Sequence, residues 1–141
     1  MIVVIDTNVI VSSLLSPGGP PAEVINRWEA DRFGVVISPP LLSELERVLK
    51  YQRVRKYYKK PQETVTALLK RLKAVATVVD PHFTLDVIRE DPVDNRVLEC
   101  AIAGGASYII TGNAHPLKLK EYQGVVILNP VEFLALVKLG K

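Results

Sequence analysis

Short apolar runs alternate with amphipathic stretches along this 141-residue chain. The apolar runs are rich in Val and Ile and do not alternate with polar residues, which is typical of strands buried on both faces of a parallel sheet. They predict strands at residues 2–5, 33–37, 77–79, 108–110 and 125–128. The amphipathic stretches predict helices at about 7–15, 21–32, 40–51, 62–75, 94–104 and 131–139. Strands that alternate with helices favour an α/β sandwich with a parallel sheet and right-handed crossovers.

Residues that commonly cap helices mark three of the predicted helix starts. Ser38, Asp91 and Asn129 each stand directly before a proline, which suits the first turn of a helix. We see no repeat, low-complexity tail or domain linker, and the length is that of one ordinary domain. The sequence therefore predicts a single domain over residues 1–141.

Composition narrows the class of protein only slightly. The net charge of +3 is compatible with a nucleic-acid partner without arguing for one. A single cysteine, Cys100, excludes an internal disulfide and suits a reducing compartment. No apolar run approaches the roughly 18 residues of a membrane span, and no basic region precedes the first apolar run as in a secretory signal. We therefore expect a cytoplasmic protein without a membrane partner.

Acidic and polar residues follow the predicted strands, and ligands of parallel sheets gather at the carboxyl ends of strands. Asp6 comes directly after the first strand, and the sequence TGN (111–113) follows the fourth. Asp94 lies on the apolar face of the helix predicted at 94–104, whereas Glu99 points away from that face. Both aspartates also fit helix N-termini, as a cap or beside the helix dipole. These residues alone leave both interpretations open.

Two glutamates follow the second strand. Glu44 and Glu46 border the apolar stripe of their helix on opposite sides, so periodicity does not choose between them, and either could be a solvated flank. Acids that converge from separate elements repel one another and raise one another's pKa unless a cation lies between them. Carboxylate oxygens suit Mg²⁺ or Mn²⁺, and the sequence contains no Cys/His set with zinc spacing.

Four segments, in order, resemble the PIN domain family, and in particular its VapC-like toxins: IDTNVIVSSLLSP, SPPLLSELERVL, DPVDNRVLECAIAGGASYIITGN and ILNPVEFL. The resemblance covers nearly the whole chain and implies a three-layer α/β/α fold around a parallel sheet. It also implies a ribonuclease that depends on Mg²⁺ or Mn²⁺ and acts as the toxin of a toxin–antitoxin pair. By this resemblance Asp6, Glu44 and Asp94 are the catalytic, metal-binding acids, and Asn8 and Thr111 support them.

The chain departs from the family pattern after its fourth strand. Asn113 stands where the family has a further acid, and His115 and Pro116 replace the usual continuation. An amide oxygen can still ligate a hard cation but brings no charge, so Asn113 is expected to weaken the metal site. The alternative function is a non-catalytic or weakly active domain that binds RNA or protein. We expect His115 to be a loop residue rather than a ligand of phosphate or metal.

A basic stretch, LKYQRVRKYYKK (49–60), interleaves cations with tyrosines. Its cations could neutralise RNA phosphates and its tyrosines could stack on unpaired bases, although a solvated linker would have the same composition. The candidate RNA-binding residues are Lys50, Arg53, Arg55, Lys56, Lys59 and Lys60.

The partners implied by the resemblance are an RNA substrate, an antitoxin protein and a second copy of the chain. The C-terminal sequence VEFLALVKLGK has an apolar stripe that could pack on the sheet or on a second subunit. A flavodoxin-like signalling domain, which accepts a phosphoryl group on one aspartate, is disfavoured. No acid pair follows the first strand, and no clear lysine follows a late one.

Overall fold

The structure, a computed structural model, describes residues 1–50 and 62–138. Its six strands form one sheet in the order β3-β2-β1-β4-β6-β5. Every pair of neighbouring strands is parallel except β5 and β6, which are antiparallel. The strands are β1 Ile2–Ile5, β2 Gly34–Ile37, β3 Thr77–Val78, β4 Tyr108–Ile110, β5 Glu121–Tyr122 and β6 Val125–Leu128.

Helices connect these strands in the described part of the chain. They are α1 Thr7–Leu15, α2 Pro20–Glu29, α3 Pro39–Lys50, α4 Gln62–Val75, α5 Asn95–Gly104, α6 Ala114–Leu119 and α7 Pro130–Lys138, and a 3₁₀ turn, Pro92–Asp94, leads into α5. The three-layer α/β/α prediction is confirmed.

Two short elements were not predicted, and one helix end differs from its prediction by three residues, whereas other described boundaries differ by at most one. Helix α6 has Pro116 in its first turn, where the missing N–H of proline does no harm. Strand β5 is two residues long and pairs antiparallel at the sheet edge, too short to leave a pattern in the sequence. The second helix ends at Glu29 rather than at residue 32, because Asp31 turns the chain with a φ of 60°.

Strands β1 and β4 are neighbours in the sheet although about a hundred residues separate them in the sequence. The chain runs outward from β1 through β2 to β3 and then returns to β4, beside β1. On the other side β6 lies between β4 and the edge strand β5. The two halves of the sheet therefore meet along the β1–β4 pair, which we call the β1–β4 seam. Crevices at such a reversal of strand order are the usual ligand sites of open α/β sheets.

Register along the seam brings two polar residues together. Ile5 pairs with Ile110, so Asp6 and Thr111 leave their strands side by side. The backbone N–H of Asp6 donates to the carbonyl of Ile110 at 2.9 Å, and that of Thr111 donates to the carbonyl of Leu128 at 3.0 Å. These bonds hold the first residue after each strand in the plane of the sheet.

The C-terminal helix α7 packs on its own chain. Phe133 is fully buried, with its ring edge-to-face against Phe33 at 5.1 Å between centroids and close to Tyr108 at 6.2 Å. The predicted cap at Asn129 is confirmed. Its Oδ1 accepts a hydrogen bond from the N–H of Glu132 at 2.8 Å, and Glu132 accepts one in return from the N–H of Asn129 at 2.9 Å.

Asp91 and Ser38 are the other two predicted caps. Asp91 stands at the N-cap position of the 3₁₀ turn before Pro92, as predicted, but its side chain makes no cap hydrogen bond within the described residues. The side chain of Ser38 lies near the thiol of Cys100; burial has the larger effect on the pKa of this thiol and raises it, whereas Ser38 lowers it. Cys100 is free and buried, and burial raises its pKa to about 12, so the thiol is not a nucleophile. No helix in the described ranges 1–50 and 62–138 has the length and apolarity to cross a membrane.

Helix α5 packs closely on β2 at its last residue. A Cβ atom built on Gly104 would lie 2.8 Å from Cγ2 of Val36, which is itself buried. The next residue, Gly105, ends the helix in the left-handed region with a φ of 65°. A side chain at Gly104 would therefore push α5, and with it Asp94, away from the sheet.

Gly104→Ala is expected to lower the free energy of unfolding by about 1–3 kcal/mol, because overpacking at this contact outweighs the better helix propensity of alanine. Chemical unfolding in urea measures the difference. Gly18→Ala is the matched control, since its Cβ would meet nothing within 4 Å, and it should change stability by less than about 0.5 kcal/mol. Equal unfolding midpoints for the two variants would show that α5 can shift without a loss of stability.

Candidate active site

The carboxylate of Asp6 lies at the carboxyl end of β1 and is bound from β4. Asp6 is 4% exposed, and its Oδ2 accepts a hydrogen bond from the hydroxyl of Thr111 at 2.8 Å. Its side chain makes no cap hydrogen bond to the first turn of α1, all of which is described. The Thr111 hydroxyl in turn accepts from the backbone N–H of Asn113 at 3.0 Å. Asp6 therefore stands at the N-cap position of α1, but its carboxylate is bound across the seam by Thr111.

The side chain of Asn113 connects Asp6 to Asp94. Its Nδ2 donates to Oδ1 of Asp94 at 3.1 Å and lies 3.5 Å from Oδ2 of Asp6. Asp94 is 5% exposed at the end of the 3₁₀ turn and the N-cap position of α5. Its Oδ2 is buried and has no hydrogen-bond partner in the described part of the chain. A buried carboxylate oxygen without a donor is an expensive arrangement that a cation would relieve.

Glu44 lines a pocket of about 340 Å³ together with Asp6 and Asn113. Asn8 and Ser12 of α1 contribute polar groups to the same pocket. Glu46, by contrast, faces away and pairs with Lys73 of α4 at 3.5 Å. The structure thus separates the two glutamates that helical periodicity left equivalent.

Asn8 supports the loop that carries Asn113. Its Oδ1 accepts a hydrogen bond from the backbone N–H of Gly112 at 3.1 Å. A Cβ on Gly112 would lie 3.4 Å from this oxygen, which is ordinary van der Waals contact. The Nδ2 of Asn8 is buried and finds no acceptor among the described residues, which leaves one donor free at the pocket.

The acids of the site influence one another's ionisation. Burial raises the pKa of Asp6 from 3.8 to about 6, and the charges of Asp94 and Glu44 add to this, against the hydrogen bond from Thr111. The backbone of Asn8 lowers this pKa least of all. Burial also raises the pKa of Glu44, opposed by the charge of Arg47 and reinforced by that of Asp94.

The pKa of Asp94 is raised as well. Burial is the main cause and the charge of Asp91 the second, while the hydrogen bond from Asn113 and the charge of His115 lower it. Asp6, Glu44 and Asp94 therefore act on one another electrostatically although they come from three separate elements. Such mutual destabilisation of negative charge is expected where carboxylates are arranged around a cation.

The oxygen ligands of the site suit a hard cation, but the three acids do not all meet at one point. Within residues 1–50 and 62–138, no three His, Cys, Asp or Glu side chains lie close enough to hold a metal ion together. Asp6 and Asp94 meet at Asn113, and Glu44 stands on the pocket wall. Their oxygens, and the free Oδ2 of Asp94 above all, suit Mg²⁺ or Mn²⁺. A single cation would therefore bind first to Asp6 and Asp94.

Sequence reasoning missed the residue that fixes the backbone beside Asp94. The side chain of Asn95 accepts hydrogen bonds from the N–H groups of Val87 and Ile88 and donates to the carbonyls of Ile88 and Pro92, at 2.8–3.1 Å. Asn95 is 1% exposed, so these four bonds are shielded from water. A buried asparagine at a helix start has many structural explanations, and no pattern in the sequence indicated this one.

Glu99, which the sequence placed away from the apolar face of α5, is nevertheless buried in the structure, with 6% of it exposed. It accepts hydrogen bonds from the N–H of Leu85 at 2.8 Å and from Arg96 at 2.7 Å. The irregular segment before the 3₁₀ turn covers this side of the helix, and irregular segments leave no periodicity to predict from.

Most of the predicted RNA-binding residues lie outside the described residues. Lys50 is exposed at the end of α3, the helix that carries Glu44. His115 belongs to the first turn of helix α6, so its prediction as a loop residue is wrong, but it is exposed. The predicted residues outside the described ranges are Arg53, Arg55, Lys56, Lys59 and Lys60.

Comparison with protein families and individual proteins gives a consistent result. The family model described as PIN domain matches residues 2–115. The uncharacterised protein MJ1680 of Methanocaldococcus jannaschii is 26% identical over 129 residues, which are 92% of this chain and 81% of that protein.

Two solved structures have a similar fold. PAE2754 of Pyrobaculum aerophilum aligns with a TM-score of 0.57 and 15% identity, over 99% of this chain and 90% of that one. VapBC2 of Rickettsia felis, bound to a DNA fragment from its promoter, aligns with a TM-score of 0.55 and 18% identity, over 92% of this chain and 98% of that one. At these identities the likeness establishes the fold alone.

Proposed function

This chain belongs to the PIN domain family, and on that premise we propose that it is a metal-dependent endoribonuclease, the toxin of a toxin–antitoxin pair. One observation carries the proposal. Two buried aspartates from distant parts of the chain share the amide of Asn113 at the carboxyl end of the seam, beside a pocket lined by Glu44. A globular protein has no structural need to gather acids in this way, because each raises the pKa of its neighbours.

Each residue of the site has a distinct task in this proposal. Asp6 and Asp94 bind Mg²⁺ or Mn²⁺ first, Glu44 adds its carboxylate from the pocket wall, and Asn113 contributes an amide oxygen once its amide has turned. When bound, the cation lowers the pKa of a water molecule and offsets the negative charge of the phosphate. Thr111 orients Asp6 by its 2.8 Å hydrogen bond, and Asn8 holds the loop that carries Asn113.

The RNA is drawn to the site by cations on the α3 side. Lys50 is exposed at the end of the helix that carries Glu44. In this proposal the basic residues that follow Lys50 in the sequence neutralise phosphates, and the interleaved tyrosines stack on unpaired bases. Single-stranded RNA is therefore the preferred substrate.

We further propose an antitoxin protein as partner, a homodimer as the assembly and the cytoplasm as the place of action. The fold likeness to VapBC2, which was solved bound to a DNA fragment from its promoter, supports the antitoxin. An antitoxin segment that enters the acid-lined pocket would block access to RNA and cation together. The dimer rests on the family alone, since the buried face of α7 is used within the chain.

Removal of divalent cations is expected to abolish cleavage. Fluorescent single-stranded RNA of random sequence is incubated with the chain in Mn²⁺, in Mg²⁺ and in EDTA, and the products are separated on a denaturing gel. The cation is needed because carboxylates cannot by themselves generate hydroxide or offset phosphate charge near neutral pH. A chain with both Asp6→Asn and Asp94→Asn, purified identically, controls for contaminating ribonuclease. Cleavage that persists undiminished in EDTA would contradict the proposal.

The second candidate function is a non-catalytic RNA- or protein-binding domain, and Asn113 favours it because a neutral residue stands where the family has an acid. The same gel decides between the two, together with a mobility-shift measurement on intact RNA. Binding without cleavage at every cation concentration would support the second function. Cation-dependent cleavage by the unaltered chain would exclude it.

A further inference from the structure

Asn113 is held in place from its backbone as well as from its side chain. Its N–H donates to the Thr111 hydroxyl at 3.0 Å, and that hydroxyl donates to Asp6 at 2.8 Å. The side-chain Nδ2 then reaches Oδ1 of Asp94 at 3.1 Å and approaches Oδ2 of Asp6 at 3.5 Å. These bonds fix the NH₂ group between the two carboxylates.

The NH₂ group of an amide carries partial positive charge and can donate two hydrogen bonds. An aspartate at this position would instead bring a third carboxylate to two that are already buried. The family's acid and this asparagine therefore have opposite effects on a site without metal. An acid at this position is tolerated only with a bound cation, whereas the partial positive charge of the amide NH₂ group replaces that cation.

We infer that the Asn113 amide is an internal substitute for the divalent cation, and that amide and cation compete for the space between Asp6 and Asp94. The inference rests on the proposed function for the metal itself. Entry of a cation requires the NH₂ group to give up both contacts. A half-turn of the amide about its Cβ–Cγ bond then presents Oδ1, a neutral ligand that hard cations accept.

A second observation marks where the cation enters. The Oδ2 atom of Asp94, on a residue that is 5% exposed, is buried and has no partner in the ranges that the structure describes. The amide satisfies Oδ1 of the same carboxylate, so it compensates the site only in part. An incoming cation would bind Oδ2 first and then displace the amide from Oδ1. The chain should therefore tolerate both states, with a weak preference for metal.

Thermal unfolding of three chains, with EDTA and with saturating Mn²⁺, tests the competition. Asn113→Leu removes the donor at similar size, and Asn113→Asp replaces it with charge. Without metal, both variants should melt roughly 3–6 °C below the unaltered chain. Mn²⁺ should raise the midpoint of each variant by more than it raises that of the unaltered chain, because no amide contact has to be broken. Asn26→Asp, which places the same charge on an exposed position of α2, should behave like the unaltered chain.

Calorimetric titration with Mn²⁺ gives an independent measurement. Asn113→Asp should bind Mn²⁺ at least about ten-fold more tightly than the unaltered chain, since a charged ligand replaces a competitor. Metal-free midpoints equal to that of the unaltered chain, or an equal Mn²⁺ response in all chains, would overturn the inference even where RNA cleavage is Mn²⁺-dependent. The expected midpoints and affinities without any RNA cleavage would instead overturn the nuclease function and leave the inference standing.

Discussion

Asp6→Asn is expected to lower the rate of Mn²⁺-dependent RNA cleavage by on the order of a thousand-fold while the fold is retained. Asparagine has the shape of aspartate and keeps an oxygen that can accept the hydrogen bond from Thr111 at its present 2.8 Å. What it loses is the negative charge that, with Asp94, would hold the cation. Initial rates on fluorescent single-stranded RNA at saturating Mn²⁺ measure the effect.

The two glutamates of α3 supply a matched pair for the same measurement. Glu44→Gln removes a charge from the pocket wall and should also lower the rate, whereas Glu46→Gln affects only the ion pair with Lys73 and should not. Asp80→Asn, at an exposed position, controls for net charge. Equal losses in both glutamine variants, or nearly full activity in Asp6→Asn, would show that hydrolysis does not use this site.

The stability of the metal-free chain is expected to fall as the pH rises from about 4 to about 6. The pKa of Asp6 is raised from 3.8 to about 6, so between these values the folded chain holds a proton that the unfolded chain has released. The free energy of unfolding therefore falls with increasing pH, and the decrease is complete above the pKa that Asp6 has in the folded chain. The change corresponds to about 3 kcal/mol for this one carboxyl.

Urea unfolding in EDTA at a series of pH values measures this slope. Burial also raises the pKa of Glu44 and of Asp94, so both acids add to the slope in the same direction. Asp6→Asn should flatten the curve and leave the metal-free chain more stable at pH 7, although it removes activity. Asp80→Asn should keep the original slope. Stability that rises from pH 4 to pH 6 would mean that the fold stabilises the ionised carboxylate of Asp6 and not its protonated form.

Much of the fold could be predicted because the inner strands β1, β2 and β4 are largely buried, whereas β3, predicted as a buried strand, is exposed at the edge of the sheet. Runs such as residues 2–5 and 125–128 have no polar positions, so neither their nature nor their ends were ambiguous. Helix α6 was missed because a proline in the first turn and a length of six residues leave no periodicity. The burial of Glu99 was missed because an irregular segment covers it.

The sequence indicated which residues belong to the candidate site but not which contacts they make with one another. Asp6 and Thr111 end neighbouring strands, so their meeting follows from strand order. The choice between Glu44 and Glu46 depends on what packs on each side of α3, and a helical period carries no such information. The role of Asn113 depends on the direction of one amide, which only the distances to two carboxylates reveal.

The β1–β4 seam also determines how tolerance to mutation varies across the sheet. Asp6 and Glu44 come before the reversal of strand order, and Asp94 and Asn113 come after it. The pocket is assembled only while both halves stay joined along one line of backbone bonds. Mutational tolerance should therefore be lowest beside that line and should increase toward the outer edges of the sheet at β3 and β5.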